Sequence, residues 1–209
     1  MTLRLNGSTS GYTEIDCPSV GGNNTLVLPT GNGSSGQFLQ TNGSGALSWA
    51  GGGKILQVVQ TIKTDTFSTS STSLTDLTGL SVSITPSSAS NKILLKVSLG
   101  QVAGNIDNLT VGFLILRGST GIFVGDAAGS RSQLSFKTAA ITNDNHGPGG
   151  IGFMGLDSPA TTSSITYKIQ LATQSSYTAY INRTASDTNT TEIYGGRTAS
   201  SIIAMEVAA

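Results

Sequence analysis

The sequence predicts an all-β protein of 209 residues, and three observations predict it. Several stretches alternate apolar with small polar side chains, the period of two that a half-buried strand requires. No window of about eleven residues or more carries a 3.6-residue apolar period with cap signals, so helix is expected to be scarce. The segments between the alternating runs are rich in Gly, Ser, Thr and Asn, the residues that close tight turns.

The chain divides at a glycine run. Residues 1–53 contain 12 of the 27 glycines and end in Gly51, Gly52 and Gly53, a natural hinge. Here the apolar residues form short islands: Leu3 and Leu5, Tyr12 and Ile15, Leu26 to Leu28, Phe38 and Leu39, then Leu47 and Trp49. Each island is one short strand in length, and the turn triplet Asn-Gly-Ser recurs at Asn6, Asn32 and Asn42. About a dozen large apolar side chains cannot offset an ordering cost of roughly 1.5 kcal/mol per residue if one copy of this segment folds alone. Either the segment is a loose linker, or identical copies wind together and share a core. A linker has no use for Phe38, Leu39, Leu47 and Trp49, because exposed aromatic and aliphatic groups only promote association. The expectation is a short intertwined N-terminal β-stalk over 1–53, with these four side chains in its interface.

Residues 54–209 carry strands of ordinary length. LSVSITP places Leu80, Val82 and Ile84 on one face, and KILLKVSLG points Ile93, Leu95, Val97 and Leu99 inward. SITYKIQLAT does the same with Ile165, Tyr167, Ile169 and Leu171, and IIAMEVA sets Ile203, Met205 and Val207 on one side. About eight to ten strands joined by polar loops predict an antiparallel, jelly-roll-like β-sandwich head domain. One strand breaks the alternation. LTVGFLILRG has Val111, Phe113 and Ile115 on one face and Leu114 and Leu116 on the other, so both faces need cover. A loop of the same chain or a neighbouring subunit can provide it; the stalk's need for partner chains favours the subunit and adds Leu114 and Leu116 to the interface candidates.

Eleven basic and eleven acidic side chains balance, leaving no net field to draw in nucleic acid or an anionic membrane. No apolar run reaches the length of about 18 residues needed for a membrane-spanning helix. The opening MTLRLNGSTSGY lacks the apolar core of a secretory signal, so the chain is expected to stay in the cytoplasm that makes it unless it leaves within an assembled particle. Cys17 has no second cysteine to pair with, and no zinc-ligand spacing occurs. Seven Asn-X-Ser/Thr triplets, beginning at Asn6, Asn23, Asn32, Asn42, Asn108, Asn182 and Asn189, follow from the Asn/Ser/Thr-rich composition rather than from glycosylation.

Chemistry is hard to place. A glycan-cleaving enzyme needs two carboxylates across a glycosidic bond, yet the closest pair, Glu14 and Asp16, falls on an expected stalk strand with no cleft. His146, the single histidine, sits in TNDNHGPGG without a nucleophile elbow elsewhere in the chain. Asn143, Asp144 and Asn145 offer oxygens without the spacing of a calcium loop. No catalytic residue, metal or cofactor is assigned. Trp49 alternates with Leu47, which reads as packing rather than as a sugar-stacking platform. Recognition is expected on polar loops of the head: Asn105, Asp107 and Asn108; Asp126 and Arg131; Asn143, Asp144, Asn145 and His146; Asp187 and Asn189.

The run GSTSGYTEIDCPSVGGNNTLVLPTGNGSSGQFLQTNGSGALSWA, residues 7–50, resembles the N-terminal segments of bacteriophage fibre and virion structural proteins, particularly those of marine and cyanobacterial phages. NTLVLP and GQFLQTNGSGALSW are its most specific parts. The second half, with LQVVQTIKTDTFSTSSTSLTDLTGLSVSITPSSASNKILLKVSLG and LILRGSTGI, resembles a phage fibre C-terminal β-sandwich. Its strand pattern is also similar to the trimeric jelly rolls of the tumour necrosis factor and complement globular-head type, an analogy of architecture alone. The resemblance implies a homotrimer located in the virion and devoid of covalent chemistry. It implies three kinds of partner: the chain itself, other virion structural proteins, and a host-surface glycan or protein. Related segments occur in tail fibres and in head-attached proteins. A short tail fibre or spike whose head contacts the host therefore stands first, a capsid-attached decoration protein or head fibre second, and a polysaccharide depolymerase a distant third.

Overall fold

The structure is a computed structural model that describes residues 3–6, 12–15, 22, 23, 25–138, 141 and 149–209. The chain forms two compact units, Met1–Gly53 and Lys54–Ala209. Every strand-to-strand pairing is antiparallel, and no α-helix occurs among the described residues.

The first unit holds two hairpins. Strand β1 (Leu3–Asn6) pairs with β2 (Tyr12–Ile15), and β3 (Gln37–Thr41) pairs with β4 (Leu47–Gly51). The second hairpin turns through Asn42–Ala46, where the Asn42 side chain accepts from the Ser44 and Ala46 amides at 2.8 and 3.2 Å. This is the Asx turn that the repeated Asn-Gly-Ser triplet favours. The register sets Leu39 opposite Trp49 and Phe38 opposite Ala50, so successive side chains point to opposite faces of a two-stranded ribbon. Among the described residues the segment 27–33 lies against it, through the Val27–Ala46 bridge and through Gly31 and Gly33 beside Trp49. Phe38 and Leu39 stay exposed, Leu47 and Trp49 are half-buried, and so are few others; among the described residues between 22 and 53 none is fully buried.

The second unit is a β-sandwich. Its long strands are β5 (Ile55–Lys63), β7 (Thr75–Ile84), β8 (Lys92–Leu99), β10 (Val111–Arg117), β13 (Ile151–Asp157), β14 (Ile165–Thr173) and β16 (Ser200–Val207). The short ones are β6 (Phe67–Thr69), β9 (Val102–Gly104), β11 (Thr120–Ile122), β12 (Phe136–Lys137) and β15 (Ala179–Ile181). Their pairing is nested: β5 with β16, β7 with β14, β8 with β13, and β10 with β11 and β12 along one edge. One long antiparallel hairpin is thus rolled up, the strand order of a jelly roll. Contacts of β16 with β8 and of β14 with β10 complete two sheets, β13-β8-β16-β5 and β11-β10-β14-β7, and β6-β15-β9 form a small third.

The two large sheets share one core. One contributes Leu80, Val82, Ile84, Phe113, Ile115, Tyr167, Ile169 and Leu171; the other contributes Ile93, Leu95, Val97, Leu99, Ile202 and Ala204. The inward faces expected for β7, β8 and β14 are those observed. The face expected for β16 is reversed. Ile202, Ala204 and Glu206 point inward, and Ile203, Met205 and Val207 lie on the outside of the sheet. The outer face of β10 is covered by its own chain: Leu134 packs on Gly112, while Leu114 lies against Gly121 beside Val124. Ser135 pins this cover, its amide donating to the Phe113 carbonyl and its hydroxyl accepting from the Ile115 amide, each at 2.9 Å. Leu116 is only 6% exposed in the single chain, so it needs no neighbouring subunit to bury it.

Candidate functional site

The charged side chains of the head mostly serve its architecture. Asp157, at the end of β13, accepts two contacts from one Arg117 nitrogen at 2.9 and 3.1 Å and the hydroxyl proton of buried Tyr167 at 2.7 Å. This knot joins β13 of one sheet to β10 and β14 of the other. Burial, reinforced by the adjacent carboxylate, holds the Tyr167 phenol well above its ordinary pKa, so it remains a donor. Glu206 is 1% exposed and faces no cation; it accepts from Ser87 N–H and hydroxyl, from Asn91 Nδ2 and from Gln57 Nε2, at 2.6–2.7 Å. Burial alone would raise its pKa, but these four donors bring it down to about 2. Asn182 is likewise buried, donating to the carbonyls of Lys63 and Asp65 and accepting from Ser200, so its triplet offers no glycosylation acceptor.

The structure scatters the loop candidates rather than gathering them. Asn105 and Asn108 flank the β9–β10 turn and bind the β14–β15 turn: Asn105 Oδ1 accepts from Thr178 N–H at 2.9 Å, and Asn108, at φ +62°, offers its carbonyl to Gln174. Asp107 is exposed between them. Asp126 and Arg131 lie on the exposed connection between β11 and β12, where Arg131 turns back on the Ala128 carbonyl. Asp187 is held by Arg197 through two hydrogen bonds of 2.8 and 2.6 Å and by Arg183 at 3.2 Å, which fixes the β15–β16 loop that carries exposed Asn189. Asn143, Asp144, Asn145 and His146 lie outside the described residues, as do Asp16 and Cys17. Among the described residues no group of three His, Cys, Asp or Glu side chains could hold a metal ion.

Two surfaces that no single motif announces stand out. The first is an open cavity of about 610 Å³ beside the outer face of β10 and β14, lined by Thr72, Ser73, Thr110, Ser132, Gln133 and Gln174 among others. Its lining mixes hydroxyl and carboxamide groups with a larger share of apolar surface, Leu74, Leu134 and Ala172 among its sources, and carries no charge. The second is the outer face of the β13-β8-β16-β5 sheet. The register aligns Leu156, Leu94, Met205 and Val58 in one unbroken apolar row across all four strands. The adjacent row reads Met154, Lys96, Ile203 and Gln60. The signal for this face was present in IIAMEV, which is apolar at both parities just as LTVGFLILRG is. The signal for the uncharged cavity was not, because Ser, Thr and Gln are frequent everywhere in the chain.

Comparison with known proteins adds little. No protein-family profile and no curated protein matches the sequence. Among solved structures the fold is similar to infectious bursal disease virus, Gt strain, at 12% identity and a TM-score of 0.32, covering 98% of this chain and 46% of that one. The VP2 subviral particle of that virus gives 11% identity and a TM-score of 0.30, with 78% and 40% covered. The Gx strain gives 14% and 0.29, with 95% and 43% covered. The chain therefore spans less than half the length of these structures, and at such scores they carry no argument about what it does.

Proposed function

We propose that this chain is a non-enzymatic structural protein of a bacteriophage particle, a homotrimeric short tail fibre or spike. Residues 1–53 form the intertwined stalk that docks on the virion, and the jelly-roll head contacts the host surface. The observation that carries this reading is that none of the described residues between 22 and 53 is fully buried in a single copy, with Leu26, Val27, Leu28, Phe38 and Leu39 exposed. Sister copies that cover these side chains resolve that deficit. The head supports the reading in a second way. Among its described carboxylates, Asp157, Asp187, Asp76 and Glu206 are engaged by Arg117, Arg197, Lys168 and neutral donors in structural knots.

Function then follows from number. Three heads per fibre and many fibres per particle raise avidity without a tight single site. An uncharged cavity of mixed hydroxyl, carboxamide and aliphatic lining, beside loops fixed on a rigid sandwich, suits weak contact with a glycan. Immunogold labelling of intact particles with an antibody to the head tests the placement. Label at the tail is expected; label distributed over the capsid supports instead a capsid-attached fibre, and particles that bind no gold overturn the virion assignment.

A further inference from the structure

We propose that the outer face of the β13-β8-β16-β5 sheet is where the heads of neighbouring copies pack on one another, an inference that rests on the trimeric reading above and names its interface. Leu56, Val58, Ile62, Met154 and Leu156 are 45, 58, 58, 65 and 47% exposed there, on strands whose opposite faces pack against the core through Val59, Ile151 and Phe153. A sheet facing water on one side is normally polar on that side. Here the row Leu156, Leu94, Met205 and Val58 is entirely apolar.

The extent of the face is that of a contact patch within a larger interface. Four strands about 4.8 Å apart and about eight residues long, at about 3.3 Å per residue, give a footprint on the order of 500 Å². A face of that size is comparable with the largest apolar patch of a typical monomer, roughly 300–600 Å² and often functional, and is somewhat over half of the roughly 800 Å² per partner that a standard interface covers. Beside the apolar row lie a mixed row, Met154, Lys96, Ile203 and Gln60, and then Gly152, Ser98, Ser201 and Ile62, so polar groups enter toward that side of the face.

Charge and connectivity select the partner. Lys92 and Lys96 are the charged side chains on the outward positions of these strands, with no acid among them. Two identical faces pressed together about a twofold axis near β8 would bring these lysines together, whereas in a ring about a threefold axis each head's face meets a different part of the next. Strand β5 begins at Ile55, two residues after the glycine run, so copies held together through residues 1–53 also hold their heads at high effective concentration. This differs from the head interface expected from the sequence: β16 and β5 display an exposed apolar face, whereas β10 is largely covered by its own chain.

Photo-crosslinking of the purified full chain tests this. Benzoylphenylalanine is placed at Met205 in one variant, at Met154 in a second, and at exposed Ser83 on the opposite sheet as a control. Irradiation of the Met205 and Met154 variants is expected to give dimer and trimer bands on a denaturing gel, at least fivefold stronger than for Ser83. If light scattering finds trimers but neither methionine position crosslinks above the control, this face is not the interface and the trimeric reading stands. If light scattering finds monomers, the trimeric reading itself fails.

Discussion

Glu206 shows how far one buried charge shapes this sandwich. A carboxylate at an inward position of β16, with no cation beside it, is stabilised only by the four donors from Ser87, Asn91 and Gln57. Replacing it, Glu206→Gln, keeps the shape but turns an amide NH₂ toward donors, and is expected to cost about 2–3 kcal/mol of stability in urea unfolding. The pH dependence has a definite sign. The folded pKa, about 2, lies below the ordinary value of 4.5, so the stabilisation is complete above about 4.5 and is lost as pH falls from there toward 2. The wild-type midpoint should therefore drop through that window, and the variant's should drop less; equal slopes would contradict the assignment. No sequence pattern announces this residue, because a Glu in an alternating strand reads as the solvent side. Tyr167 was legible as inward, whereas its bond to Asp157 depends on two sheets meeting and was not.

At the scale of elements, legibility followed the contrast between the two faces of a strand. Strands β7, β8 and β14 put small polar residues opposite large apolar ones, and their inward sets were readable. Strand β16 is apolar on both sides, so alternation alone could not say which side is the core, and the larger set proved to face outward. The β10 strand posed the same ambiguity, resolved by a covering segment whose Leu134 lies on Gly112. In the first unit the decisive contact is local. Gly33, at φ +69°, lies under the Trp49 ring, where an added Cβ would sit 2.6 Å from Trp49 Cδ2, and the indole N–H donates to the Gly31 carbonyl. Gly33→Ala is expected to cost about 1 kcal/mol or more locally and to lift the ring from its place. Trp49 is the single tryptophan, so its emission should move to longer wavelength while the head's thermal transition stays put. Unchanged emission would contradict that packing.

For the whole molecule, the account turns on a contrast between two halves of one chain. The rolled hairpin of residues 54–209 buries a full core by itself, as its alternating strands foretold. The glycine-rich half forms its hairpins, and among its described residues Leu26, Val27, Leu28, Phe38 and Leu39 stay exposed while Leu47 and Trp49 are half-buried, in the direction that a sum of burial against chain entropy gives for a lone copy. Composition made that deficit legible; the surface that brings heads together was not, since it needs the register of four strands distant in sequence. The most direct measurement is the mass of the purified chain in solution by light scattering at micromolar concentration. The account predicts three times the chain mass of 21.3 kDa, about 64 kDa. A mass near 21 kDa, with Trp49 as shielded from quencher as in a packed interior, would contradict it.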